Sequence, residues 1–205
     1  MKIKICGLTR MQDIEVVNEG LPDYIGFVFA ESKRKVSREQ AEQMKNILDK
    51  RIQAVGVFVN AQPDEIAGLC RDGIIDIIQL HGNESQTYLE KLRSKVANPI
   101  IKAIQVQSTM QILESQAVSC DYLLLDAFGK DGRGGRGGSG TAFDHSLIPR
   151  TIKPFFLAGG LNAGNIRAAA ECLPYCLDVS SGVETNGVKD RDKIRNLIDI
   201  VRSVR

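Results

Sequence analysis

The sequence predicts a single closed (β/α)8 TIM barrel, and three observations carry that prediction. Eight short runs rich in Val, Ile, Leu and Phe recur along the 205 residues. Several of these runs are apolar without alternation, as strands buried on both faces must be. The segments between them carry helix-start signals, so strands alternate with helices. Such alternation requires parallel pairing through right-handed crossovers, and eight units have a natural closed solution in the barrel. An open doubly wound sheet is the alternative. Its dinucleotide fingerprint is missing, because the first turn reads Cys6-Gly7-Leu8-Thr9 and holds no GxGxxG.

In chain order the predicted strands are Ile3 to Cys6, Tyr24 to Phe29, Ala54 to Val59, Ile74 to Leu80, Ile100 to Ile104, Tyr122 to Asp126, Phe155 to Ala158 and Cys176 to Val179. Thr9 precedes MQDIEVV and is the expected cap of the first helix. Ser37 with Gln40 three residues on reads as a capping box, and Pro63 opens PDEIAGLC at the first helical position. Ser85, Ser108 and Asp190 are placed to cap three further helices. No linker, charge block or composition shift divides the chain, so residues 1–205 read as one barrel domain. The Gly-rich stretch from Phe128 to Gly140 is the one compositional exception.

The bulk numbers bound the function. A chain of this length buries roughly 70% of the surface it would expose unfolded, enough to be stable without disulfides or structural metals. The 27 basic and 25 acidic residues nearly cancel, which gives no global field for nucleic acid or an anionic membrane. No run of 18 apolar residues occurs, and MKIKICGLTR lacks the apolar stretch of a secretory signal, so a cytoplasmic protein is expected. Cys6, Cys70, Cys120, Cys172 and Cys176 are odd in number and irregularly spaced, unlike a disulfide framework. Cys172 and Cys176 form a CxxxC, but no second pair with zinc spacing accompanies it, and packing explains both. No metal and no cofactor are expected.

In a barrel of this kind the active site lies at the C-terminal ends of the strands. Polar residues that close the apolar runs are therefore the candidates: Cys6 and Gly7 after the first, Gln79, His81 and Gly82 after the fourth, Asp126 after the sixth. Gly159 and Gly160 close the seventh, and Ser180, Ser181 and Gly182 the eighth. Cys6 and Asp126 are a thiol and a carboxyl able to exchange protons with a substrate if their environments move them toward neutrality. Either residue also has a structural reading, Cys6 as a small buried apolar group and Asp126 as a cap. An Asp closing YLLLD is costly to desolvate unless it is paired, faces a cavity or does chemistry. The glycines after strands seven and eight fall where this fold frequently binds phosphate through backbone N–H groups, although glycine also serves ordinary turns. Arg34, in ESKRKV, is the candidate cation for a substrate carboxylate, because guanidinium offers a bidentate fork, whereas Lys33 and Lys35 read as solvated. His81 reads equally as an acid, base or donor at the mouth and as a hydrogen-bonded structural residue.

These residues carry a resemblance that covers essentially the whole chain. KICGLTR at 4–10, GFVFAESKRKV at 26–36, VGVFVN at 55–60, QLHG at 79–82, IKAI at 101–104, LLLDAFG at 123–129, GGSGTAFD at 137–144, FFLAGGLN at 155–162 and LDVSSGVE at 177–184 resemble, in order, the blocks of the phosphoribosylanthranilate isomerases. The resemblance implies an Amadori rearrangement of N-(5-phosphoribosyl)anthranilate to 1-(2-carboxyphenylamino)-1-deoxyribulose 5-phosphate, in tryptophan biosynthesis and without a cofactor. It implies Cys6 as general base and Asp126 as general acid. Arg34 would hold the anthranilate side, and the loops at Gly159, Gly160, Ser181 and Gly182 the phosphate, with His81 in support at the mouth. The expected partner is a small phosphorylated substrate, with no nucleic acid and no membrane, and the chain reads as a monomer or homodimer.

Two features depart from the family pattern. The loop AFGKDGRGGRGGSG is long and rich in Gly and Arg, and His145 stands where relatives commonly have Trp. The two RGG repeats, Arg133 to Gly135 and Arg136 to Gly138, are too few for RNA binding by counterion release, and a flexible lid is the simpler expectation. A histidine-pathway isomerase would be expected to carry an Asp where Cys6 stands. A barrel that had become a metabolite sensor would not need both Cys6 and Asp126.

Overall fold

Strand β1 (Lys2–Cys6) pairs on one side with β2 (Tyr24–Val28) and on the other with β8 (Cys176–Val179), and this double pairing closes the sheet. In this computed structural model, which describes residues 1–127, 144–149 and 153–204, the strands run in the order β1 to β8 as a closed barrel with every neighbouring pair parallel. The remaining strands are β3 (Gln53–Phe58), β4 (Ile77–Leu80), β5 (Ile100–Val106), β6 (Tyr122–Ala127) and β7 (Phe155–Leu157). The predicted fold class is the one observed. The Gly-rich stretch, both RGG repeats and the expected lid lie outside the described residues, as does the side chain of His145.

Helices α1 (Met11–Gly20), α2 (Arg38–Asn46), α3 (Pro63–Arg71), α4 (Gln86–Arg93), α5 (Thr109–Ser115), α6 (Ile166–Ala170) and α7 (Arg191–Ser203) surround the barrel. Ser37 forms the predicted capping box with Gln40, and the side chains of Ser85, Ser108 and Asp190 accept from Tyr88, Gln111 and both Asp192 and Lys193. Pro63 opens α3 where its missing N–H costs nothing. Thr9 is not the cap of α1: Arg10 takes that position. The reason is Asp13, which is buried and accepts from the N–H groups of both Thr9 and Arg10, so the orphan donors are met from inside the helix.

Strand β4 starts at Ile77 rather than Ile74. Gly73 takes φ +69°, and Ile74 N–H donates to Leu69 O of α3, which turns Ile74 and Ile75 into a buried connection under the helix. Their burial produced the apolar signal, and burial does not distinguish a ladder from a turn.

Side chains alternate across each strand, and the inward set is legible at period two. Tyr24, Val55, Ile77, Ile101, Leu124, Phe156 and Cys176 form a cluster inside the barrel, separate from the larger core between strands and helices. Cys172 packs against that outer core, so the two cysteines of the CxxxC serve different layers. On the same inward register, Lys4 and Cys6 follow Lys2, Asp178 follows Cys176, Gln79 follows Ile77 and Asp126 follows Leu124. The interior is thus apolar in the middle and polar toward the C-terminal ends.

Candidate active site

A cleft opens at the C-terminal mouth, lined among others by Cys6, Arg34, Gln79, His81, Asp126, Gly159, Gly160, Asp178 and Ser181. Of the strand-end candidates, Cys6, Gln79, His81, Asp126, Gly159, Gly160, Ser180 and Ser181 line it, Gly7 and Gly82 do not, and Gly182 supports it from behind. A Cβ on Gly182 would stand 1.9 Å from Leu161 O, so this glycine lets the loop after β8 lie directly on the backbone of the loop after β7. Gly159 (φ +93°) and Gly160 (φ +65°) occupy the left-handed region, where a side chain would be strained. Their loop is fixed by Asn162 and Asn165, whose side-chain amides both donate to Gly160 O at 3.1 Å. The N–H groups of Gly159 and Gly160 have no acceptor among the described residues.

At the thiol, Gly26 stands beside Cys6 in the β1–β2 register, and a Cβ there would lie 2.6 Å from Sγ. Burial pushes the Cys6 thiol above its ordinary range, and the cations of Lys4 and Lys189 pull the other way without reversing it. The positive potential that a thiolate calls for is present at the site, but burial weighs more.

Lys4 is fully buried, and sequence reading missed it. Its ammonium donates to Asp178 Oδ2 (2.8 Å) and Gln79 Oε1 (2.5 Å). Burial opposes its charge, yet Asp178 and Cys6 together hold the ammonium above its ordinary range. Asp178 was missed as well, and its Oδ1 is buried without a hydrogen-bond partner among the described residues. The signal that could have found both is the inward period-two register: in KIKIC and CLDV a charge sits two residues from a cavity-facing position.

His81 lies between Gln79 and Asp126. Its Nδ1 is 3.0 Å from Gln79 Nε2, and its Nε2 is 3.3 Å from Asp126 Oδ2 without aligned hydrogen-bond geometry. Arg34 reaches the mouth as expected, but its fork is engaged: Nε and Nη2 donate to Glu184 Oε1 (2.8 Å) and Oε2 (2.9 Å). Glu184 heads the hairpin β9 (Glu184–Thr185) and β10 (Val188–Lys189), which returns Lys189 to the same carboxylate at 2.6 Å. Burial raises the Glu184 carboxyl, but the bonds from Arg34 and Lys189 hold it below the usual range. Three guanidinium N–H groups of Arg34 stay available for a ligand. Lys35, read as solvated, pairs with Glu31 on the surface. Among the described residues no group of three or more His, Cys, Asp or Glu could hold a metal ion, and no helix is long and apolar enough to cross a membrane.

A parallel barrel that gathers a thiol, a carboxyl group and two glycine loops at one mouth defines a class: an acid-base isomerase for a phosphorylated sugar derivative. Comparison with known proteins narrows it. The N-(5'-phosphoribosyl)anthranilate (PRA) isomerase family model matches residues 3–200. An N-(5'-phosphoribosyl)anthranilate isomerase of Endomicrobium trichonymphae is 47% identical over 204 residues, 99% of either chain. The crystal structure of phosphoribosyl anthranilate isomerase from Thermotoga maritima superposes with a TM-score of 0.87 at 33% identity, covering 98% of both chains. A crystal structure of a phosphoribosyl anthranilate isomerase in complex with reduced 1-(o-carboxyphenylamino)-1-deoxyribulose 5-phosphate is similar at TM-score 0.80 and 30% identity, again over 98% of both. The chain belongs to the N-(5'-phosphoribosyl)anthranilate isomerase family, and its activity is the isomerisation of phosphoribosylanthranilate in tryptophan biosynthesis.

Proposed function

We propose that residues 1–205 work as one barrel domain in which Asp126 is the general acid and Cys6 the general base of the Amadori rearrangement. The observation that supports this most directly is that the two groups close strands on different sides of one cleft. Asp126 gives its proton to the ring oxygen as the C1–O bond breaks, and the anilino nitrogen lone pair forms a protonated C=N bond. Cys6, as thiolate, then removes the C2 proton, and the electrons of that C–H bond form the enolamine and neutralise the nitrogen. Ketonisation moves the C2 hydroxyl proton to C1.

The order of these steps answers the raised thiol. The iminium cation formed first sits beside Cys6, and an adjacent positive charge favours the thiolate just when a base is needed, the thiol proton passing through solvent to the carboxylate that Asp126 has become. The orphan Oδ1 of Asp178 is an acceptor for a substrate hydroxyl or N–H at the same place. The N–H groups of Gly159 and Gly160, with Ser181 and Gly182 packed on them, would receive the phosphate. Val28, Val57 and Val59 line the cleft near Arg34 and give the anthranilate ring an apolar seat, while the remaining N–H groups of Arg34 meet its carboxylate. The ligand of the related complex, a reduced carboxyphenylamino deoxyribulose phosphate, carries those same three features. The enzyme would act in the cytoplasm on this small substrate, as a monomer or homodimer.

Freshly generated phosphoribosylanthranilate, followed by the decay of anthranilate fluorescence, tests the assignment. Cys6→Ser and Asp126→Asn should each lose about 10²-fold to 10⁴-fold in kcat while folding normally. Near-wild-type turnover by either folded variant would remove that residue from its role.

A further inference from the structure

We infer that Lys4 and Gln79 are positioning residues that hold His81 as the neutral imidazole protonated on Nε2, so that this N–H meets the Asp126 carboxylate as it forms. The inference rests on the reading of Asp126 as the general acid. It begins at β1 with a group of fixed polarity: an ammonium has three donors and no acceptor. Lys4 Nζ lies 2.5 Å from the side-chain amide of Gln79, so the atom it meets there is the oxygen. Asp178 Oδ2, at 2.8 Å, fixes the ammonium from the other side. With its oxygen turned to Lys4, the Gln79 amide points its NH2 at His81.

That NH2 is a donor only, and it stands 3.0 Å from His81 Nδ1. Nδ1 must therefore accept, and the imidazole proton is placed on Nε2. His81 Nε2 is buried, 3.3 Å from Asp126 Oδ2, and has no aligned hydrogen bond among the described residues. A small movement of either ring or carboxyl aligns it.

The chemistry gives this donor a use. When Asp126 has surrendered its proton to the ring oxygen, a carboxylate is left in a cavity that excludes much of the water, and a preplaced neutral N–H stabilises it. A neutral donor does this without the full positive charge that would favour the carboxylate before the proton is needed. Among the described residues the charged groups facing this array are Lys4 on β1, Asp178 on β8, Asp126 on β6 and the buried Lys102–Glu84 pair beside Gly82.

The chain has two histidines, His81 and His145, which makes the tautomer directly measurable. Protein labelled with ¹⁵N-histidine, with His145→Gln supplying the assignment, is read by long-range ¹H–¹⁵N correlation at about pH 9, well above the ordinary histidine range. The expected spectrum shows His81 with an unprotonated Nδ1 and a protonated Nε2. An Nδ1–H tautomer or an exchanging mixture of the two would overturn the inference. Gln79→Glu offers Nδ1 an acceptor in place of a donor; it should protonate Nδ1 and lower kcat about 10-fold or more with KM little changed. An unaltered His81 spectrum in that variant would also overturn it. Lys4→Met combined with Asp178→Asn, which leaves no carboxylate unpaired, should let the amide flip and give a mixed tautomer; a single Nε2–H form there would remove Lys4 from the array. If the wild-type spectrum is as expected but Asp126→Asn turns over normally, the tautomer array stands and the acid assignment falls.

Discussion

Gly26 faces Cys6 across the β1–β2 ladder, and the space a Cβ would take at Gly26 is filled by the Cys6 thiol at 2.6 Å and by Lys4 Cε at 3.2 Å. The glycine leaves the space into which the Cys6 thiol and its neighbouring cation fit. Gly26→Ala forces Sγ to move by several tenths of an ångström or more in a packed interior. The expected outcome is a loss of about 10²-fold in kcat/KM, because misplacement of a reacting group by about 1 Å costs that much. Overpacking adds a stability loss of about 1–3 kcal/mol, seen as a lower Tm. Unchanged turnover with a lowered Tm would separate the glycine from the base.

The raised thiol fixes the sign of a pH effect. Burial holds Cys6 above its ordinary range and Lys189 opposes that rise, so the alkaline limb of kcat/KM, which reports the free enzyme, should lie above the ordinary thiol range. Lys189→Met removes a cation that favours the thiolate and should displace this limb further upward. A limb that moved downward in Lys189→Met would contradict the assignment of Cys6 as the base.

The two glycine loops at the mouth depend on each other. Gly182→Ala drives a methyl group into Leu161 O, and Gly160→Ala places a side chain at φ +65°. Each should raise KM roughly 10-fold, equivalent to the 1–3 kcal/mol of backbone strain such positions store, with kcat less affected. Inhibition by inorganic phosphate should weaken in parallel, and competition assays would show whether it does.

Arg34, which lines the cleft, is held by Glu184 through two bonds that fix the plane of its guanidinium. Glu184→Gln should keep the fold but loosen that fork, raising KM several-fold. Arg34→Lys, with one point charge and no planar fork, should raise it about 10-fold or more. Steady-state kinetics on both variants tests the order of severity.

Glu84 ties the mouth between β3 and β4: it accepts from Asn60 N–H, Gly82 N–H and Lys102 Nζ at 2.7–3.1 Å with its side chain fully buried. Burial raises its carboxyl, but the bond from Lys102 and those from the backbone hold it below the usual range. A depressed folded value means the stabilisation is fully present above the unfolded value of about 4.3 and is lost as pH falls through the folded one. Glu84→Ala leaves Lys102 uncompensated and should cost about 3–5 kcal/mol near pH 7. The Tm gap between the two proteins should narrow below pH 4, and a gap independent of pH would refute the ion-pair account.

The sequence by itself determined the barrel and the strand-end members of the site. Continuous apolar runs between capped amphipathic segments have one compact closed solution, and the C-terminal mouth then collects Cys6, Asp126, His81 and the glycines of the seventh and eighth loops. Helix starts were legible where one side chain caps its own helix, as at Ser37 and Asp190, and illegible at Thr9, where Asp13 reaches back from inside α1. What only the tertiary structure decided is pairing between distant strands. Lys4 is ordinary in KIKIC until Asp178 and Gln79, 174 and 75 residues away, close around it. Arg34 looks free until Glu184 returns from the far end of the chain. Local sequence encodes propensity and burial period, whereas the polarity of a buried hydrogen bond is set by which atoms the closed barrel brings within 3 Å, and no single segment holds that information.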